Sequence, residues 1–221
     1  MAEYTVEIQK LVNAALEEIH AEHQAKKLVN APVANNNFLI RWVTKSLKAQ
    51  RFHRCVVSDL TRWQKEGRTK GNASNLMATF ERISGFYAEF FPQGEEQKAV
   101  KDSQINQFLD FMEENDWEVS TSEPLVGVGK VQIFIEGQNS FALCTEQCDS
   151  CFDGELMVKP MNWFVRGNHA KFIELAANAG FMLHKVTDYK SNVKYHGEYI
   201  VFPNNLGTQL AEIPNSFVVS K

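Results

Sequence analysis

Ser103-Gln104-Ile105-Asn106-Gln107-Phe108-Leu109-Asp110-Phe111-Met112-Glu113-Glu114-Asn115-Asp116-Trp117 gives way, a few residues on, to Val131-Gln132-Ile133-Phe134-Ile135 and then to Phe141-Ala142-Leu143. In the first stretch Ile105, Phe108, Leu109 and Met112 recur at the three- and four-residue spacing of one helix face, with Ser103 as the expected cap. In the second, apolar and β-branched residues come in short runs, and Gly137-Gln138-Asn139-Ser140 is a hairpin-type turn. The period of the pattern changes near residue 117. That change predicts an α+β fold: a helical N-terminal region over 1–116, then an α/β lobe over 117–221 made of a small mixed β-sheet with one packed helix.

Toward the N-terminus the helical period continues. Residues 4–28 place Ile8, Leu11, Val12, Ala15, Leu16 and Ile19 on one face, with Glu17, Glu18 and Glu22 on the others. Asn30-Ala31-Pro32 is expected to stop this helix, and Asn35-Asn36-Asn37 to cap a second over about 37–51 that buries Phe38, Leu39, Trp42, Val43 and Leu47. A third starts near Ser58 with Leu60 and Trp63. Gly67-Arg68-Thr69-Lys70-Gly71-Asn72 reads as the turn before a fourth helix over about 73–90. Toward the C-terminus, Leu156-Met157-Val158 and Trp163-Phe164-Val165 read as strands. Asn168 caps a helix over about 169–179 closed by Gly180, and residues 181–186 and 199–202 complete the sheet.

Sixteen Phe, four Trp and five Tyr in 221 residues are enough for a sizeable core, in one large domain or two small ones. No apolar run approaches the roughly 18 residues that span a bilayer, so no membrane partner is expected. The opening Met1-Ala2-Glu3-Tyr4 is unlike a signal peptide, so a cytoplasmic location is expected. The four cysteines are then reduced thiols or metal ligands rather than disulfides.

Charge is unevenly spread. Over residues 38–82 lie ten of the 23 Lys and Arg residues but three of the 27 acids, leaving 13 basic and 24 acidic residues elsewhere. With a formal net charge of −4, any attraction to polyanions must be local. Arg41, Lys45, Lys48 and Arg51, at spacings of four, three and three, form one solvent stripe on the second helix. Arg54, Arg62, Lys65, Arg68 and Lys70 extend it. Such a surface fits a nucleic-acid backbone or an acidic protein, and Gly67 and Gly71 would admit a phosphate close to the backbone. The six-residue turn is longer than the three to four of a helix-turn-helix.

The segments Phe38-Leu39-Ile40-Arg41-Trp42 and Leu47-Lys48-Ala49-Gln50-Arg51-Phe52-His53-Arg54, followed by Asp59, Trp63 and Gly67-Arg68-Thr69-Lys70-Gly71, resemble a gammaproteobacterial family of unknown function, domain-of-unknown-function family 2913. Gly154-Glu155-Leu156 with Lys159-Pro160 is similar to that family's second half, with one residue more before the lysine. The resemblance implies a bacterial source and carries no activity.

Cys144, Cys148 and Cys151 have the C-x3-C-x2-C spacing that gathers thiols for zinc or an iron–sulfur cluster. Radical enzymes that use S-adenosylmethionine share this spacing, but the 70 residues after Cys151 are too few for their barrel. Cys55, His169, His184 and His196 are the candidates for a fourth zinc ligand. The cluster is not part of the family pattern, so no cofactor is expected and zinc is the one to test. No phosphate-binding glycine loop, nucleophile elbow or zinc-protease motif occurs, and no catalytic residue is assigned. The resulting expectation is a non-enzymatic nucleic-acid-binding or regulatory protein. Its rivals are an adaptor for an acidic partner or for a second copy of itself, and a metal-stabilised hydrolase.

Overall fold

In a computed structural model of the chain, residues 3–126, 137–190 and 195–219 are described. Among them the chain forms seven helices and seven strands, an α+β fold. The strand expected at 131–135 lies outside the described residues. No helix among the described residues is long and apolar enough to cross a membrane. The chain packs as two units: Met1–Gly94 with Thr208–Leu210 and Phe217–Lys221, and Glu95–Gly207 with Ala211–Ser216.

The first unit consists of α1 (Glu3–Gln24), α2 (Pro32–Lys48), α3 (Val57–Lys70) and α4 (Leu76–Phe90), with α1 packed on α4 and α2 on α3. The α1 positions that recur at helical spacing are the buried ones: Ile8, Leu11, Val12, Ala15 and Ile19. Trp63 of α3 meets Phe80 of α4 edge to face at 4.8 Å, an arrangement worth about 0.5–1.5 kcal/mol beyond the area it buries. The returning tail sets Phe217 edge-on to Phe86 at 5.3 Å.

Two local readings are overturned here. First, α2 begins at Pro32, not at residue 37, with Ala31 at the cap position in extended backbone. Proline lacks an N–H and has a preset φ, which suits the first helical position, so Pro32 opens this helix instead of closing off the chain before it. The asparagines lie inside the helix, and Asn35 and Asn36 are buried. Asn36 accepts from the Leu76 N–H at 2.9 Å and donates to the Gly71 carbonyl at 2.8 Å. It therefore caps α4 from across the unit rather than its own helix. Second, Gly67-Arg68-Thr69-Lys70 is not a turn. α3 runs through it to Lys70, and the change of direction falls in a short 3₁₀ segment, Gly71–Ser74, followed by Asn75 in left-handed backbone (φ 43°).

The second unit is a five-stranded sheet in the order β1-β2-β5-β7-β6: β1 (Glu118–Glu123), β2 (Ser140–Cys144), β5 (Met161–Arg166), β6 (His184–Lys190) and β7 (Tyr195–Val201). β1 and β2 are parallel and the other neighbours antiparallel. Phe141 opposite Val165, Leu143 opposite Trp163, and Trp163 opposite Tyr199 put one row of large side chains on a single face. α5 (Asp102–Glu114) and α7 (His169–Asn178) cover that face through Phe108, Met112 and Phe172. α5 thus joins the core of the second unit, although its pattern is continuous with the helical region. α6 (Thr145–Ser150) follows β2, and β3 (Phe152–Asp153) and β4 (Leu156–Met157) form a small hairpin.

The caps of this unit divide by range. Asn168 accepts from the Lys171 N–H at 3.0 Å and Gly180 has φ +87°, so α7 starts and ends where local chemistry places it. Ser103 does not cap α5. Its hydroxyl donates to the Glu155 carboxylate, and the Asp102 N–H donates to the Glu155 carbonyl at 2.9 Å. The β3–β4 hairpin supplies the cap instead.

Candidate functional site

Helix spacing carries Arg41, Lys45 and Lys48 down one exposed stripe of α2. α3 lies beside α2 because Gly67 has no side chain. A methyl group added there would stand 2.7 Å from Cγ1 of Ile40, so any other residue would force Ile40 or the helix to shift. The close approach brings Arg68, in the last turn of α3, next to the α2 stripe. Between them is a groove of about 640 Å³ lined by Ile40, Thr44 and Ala49 together with Arg41, Lys45, Lys48 and Arg68. No Asp or Glu lines it. None of the four cations has an ion pair among the described residues.

The bland reading is that cations in the last turns of α2 and α3 merely complement the helix dipoles. Two helix C-termini supply about one negative charge between them, against four positive charges. The groove keeps a positive surplus over the dipoles, and no carboxylate is in its lining.

The rest of the block is placed differently. Arg51 pairs with Glu18 at 2.5 Å and stacks over Trp42 and Phe52 at 5.3 and 5.2 Å, while the Trp42 indole donates to the same carboxylate at 2.8 Å. Arg51 is therefore a clasp between α1 and the end of α2. Arg62 pairs with Asp59 at 2.8 Å, and Lys70 with Glu66 at 3.7 Å. Asp59 is buried and also accepts from the Tyr4 hydroxyl at 2.7 Å. Burial raises its pKa above the ordinary carboxylate value and outweighs the hydrogen bond from Tyr4 and the charge of Arg62, which lower it. Tyr4 is raised too, chiefly by burial, so its hydroxyl stays a donor. Arg54 and Lys65 are exposed and line neither this groove nor its neighbour. Gly67 offers nothing to a phosphate, because Ile40 occupies the space beside it.

A second groove, of about 510 Å³, lies on the other flank of α2. Arg41 and Lys45 line both grooves, so they form the ridge between them. The second groove also presents Phe38 and Glu22. The sequence places Phe38 in the core and Glu22 on an outer face of α1, but Phe38 is only half-buried and both line this groove.

The three clustered cysteines fall on β2, on α6 and at the end of α6. Cys144 ends β2 and is fully buried, its thiol donating to Glu146 at 2.9 Å. Cys148 is in α6, and Cys151 donates to the Pro160 carbonyl at 3.4 Å. Burial first, then the charge of Asp149, push the Cys148 thiol up to about 11, and burial raises Cys151 as well. Among the described residues no group of three or more His, Cys, Asp and Glu is arranged to hold a metal ion. His169 lies 2.8 Å from the Tyr199 hydroxyl, and buried His184 is edge-on to Phe202 at 5.1 Å. The side chain of His196 lies outside the described residues.

A family model described as a protein of unknown function (DUF2913) matches residues 3–214, nearly the whole chain. No curated protein and no solved structure matches.

Proposed function

We propose that this chain, which belongs to the DUF2913 family of proteins of unknown function, is a non-enzymatic protein that binds the phosphate backbone of nucleic acid through the α2–α3 groove. One observation carries the reading: Arg41, Lys45, Lys48 and Arg68 converge on one groove with no carboxylate in its lining. Cations placed this way release counterions from a polyanion when they neutralise its phosphates. They position a backbone and read no bases. The paired cations Arg51, Arg62 and Lys70 have structural work and are not assigned to the ligand.

The test is fluorescence anisotropy with labelled single-stranded and duplex oligonucleotides and with labelled poly-glutamate. Arg41→Glu with Lys48→Glu should abolish oligonucleotide binding. Arg54→Glu with Lys65→Glu, the same charge change outside the groove, should leave most of it. Oligonucleotide affinity that is unchanged by the first pair overturns the proposal. Equal affinity for poly-glutamate overturns it in favour of an acidic protein partner.

A further inference from the structure

We infer that the nucleic acid is single-stranded, with its phosphates held in the α2–α3 groove and one base turned over the Arg41–Lys45 ridge to lie against Phe38. This rests on the proposed function above and adds the form of the ligand. The two grooves differ in chemistry but share a wall. On the α3 side the lining is four cations with Ile40, Thr44 and Ala49. On the α1 side, past Arg41 and Lys45, Phe38 is half-buried and makes no ring contact with another aromatic residue among the described residues. The other aromatics of that flank are already committed: Trp42 and Phe52 pack on each other at 5.6 Å and on Arg51. Phe38 is the aromatic side chain lining that groove that has no aromatic or cationic partner among the described residues.

Phe38, Arg41 and Lys45 lie three and four residues apart, on one side of α2 and within about 10 Å along its axis. A cationic track beside an aromatic face is the arrangement that holds unpaired strands, since every base has a π-face to stack. A duplex keeps its base faces inside the stack and cannot use Phe38. Glu22, in the same groove, has no side-chain partner among the described residues. Its carboxylate accepts hydrogen bonds and donates none. It therefore suits a base with an exocyclic amino group, adenine, cytosine or guanine, over thymine, which has none.

The experiment compares oligo-dA, oligo-dC and oligo-dT with a duplex of equal length, using the full chain and its Phe38→Ala and Glu22→Ala variants, each checked for native circular dichroism. The single strands should bind more tightly than the duplex. Phe38→Ala should weaken single-strand binding by about tenfold and leave duplex binding unchanged. Glu22→Ala should bring oligo-dA and oligo-dC down toward oligo-dT. Phe38→Trp should retain single-strand binding, which a role in packing alone would not predict. Equal affinity for duplex and single strand, or indifference to Phe38→Ala while Arg41→Glu with Lys48→Glu still abolishes binding, overturns this inference and leaves the backbone-binding reading standing. Binding of no oligonucleotide overturns both.

Discussion

Raising salt from about 50 to about 200 mM should weaken binding of a single-stranded oligonucleotide by about 50-fold, because each neutralised phosphate contributes about −0.7 to the slope of log K against log salt. The four cations of the groove give a slope of about −2.8. Had all nine candidate cations from Arg41 to Lys70 faced the ligand, the slope would be about −6.3 and the loss about 6,000-fold. The two arrangements are far enough apart for a simple measurement to separate them. Arg68→Ala removes one groove cation at an exposed helix end and should reduce the slope to about −2.1. Lys70→Ala should leave it alone, since Lys70 is held by Glu66. The assay is an anisotropy titration at five or six salt concentrations for each variant. A wild-type slope of about −6, or an unchanged slope in Arg68→Ala, would refute the four-cation groove.

Three further outcomes follow from the first unit. Asn36→Leu strips partners from the Gly71 carbonyl and the Leu76 N–H in a buried position and should cost about 2–4 kcal/mol, read as a lower denaturation midpoint at constant slope. Gly67→Ala gains about 1 kcal/mol of helix propensity but overpacks Ile40, typically at about 1–3 kcal/mol. It should be neutral to destabilising alone and stabilising in an Ile40→Ala background. Asp59 has a folded pKa above its unfolded value, so its contribution is fully present below the unfolded pKa and is lost as pH rises through the folded one. Asp59→Asn should therefore flatten the fall in melting temperature expected as pH climbs above the ordinary carboxylate range; a profile identical to wild type would remove Asp59 as its source.

Where the interaction is local, the residues announce it. The 3.6-residue spacing along α1 marks its buried face, and Asn168 and Gly180 bracket α7, because the groups concerned lie within one turn of each other. Asn36 shows the opposite case. As a polar residue after Pro32 it reads as a cap for its own helix, yet its partners are 35 and 40 positions away. No window of sequence contains both. Gly67 misleads for the same reason: glycine signals a turn unless a neighbouring helix needs its missing side chain.

The amino-acid order alone established the α+β class, most of the helices and an excess of positive charge over residues 38–82, since these follow from periodicity and counting. Tertiary packing decided which charges remain available. Asp59 and Glu66 take Arg62 and Lys70 at local helix spacing within α3, but Glu18 reaches from α1 to hold Arg51, and Gly67 lets α3 come close enough to set Arg68 beside Arg41, Lys45 and Lys48. Whether a cation is neutralised depends on what lies a few ångströms from it in space, and for Arg51 and Arg68 that neighbourhood is built by other helices.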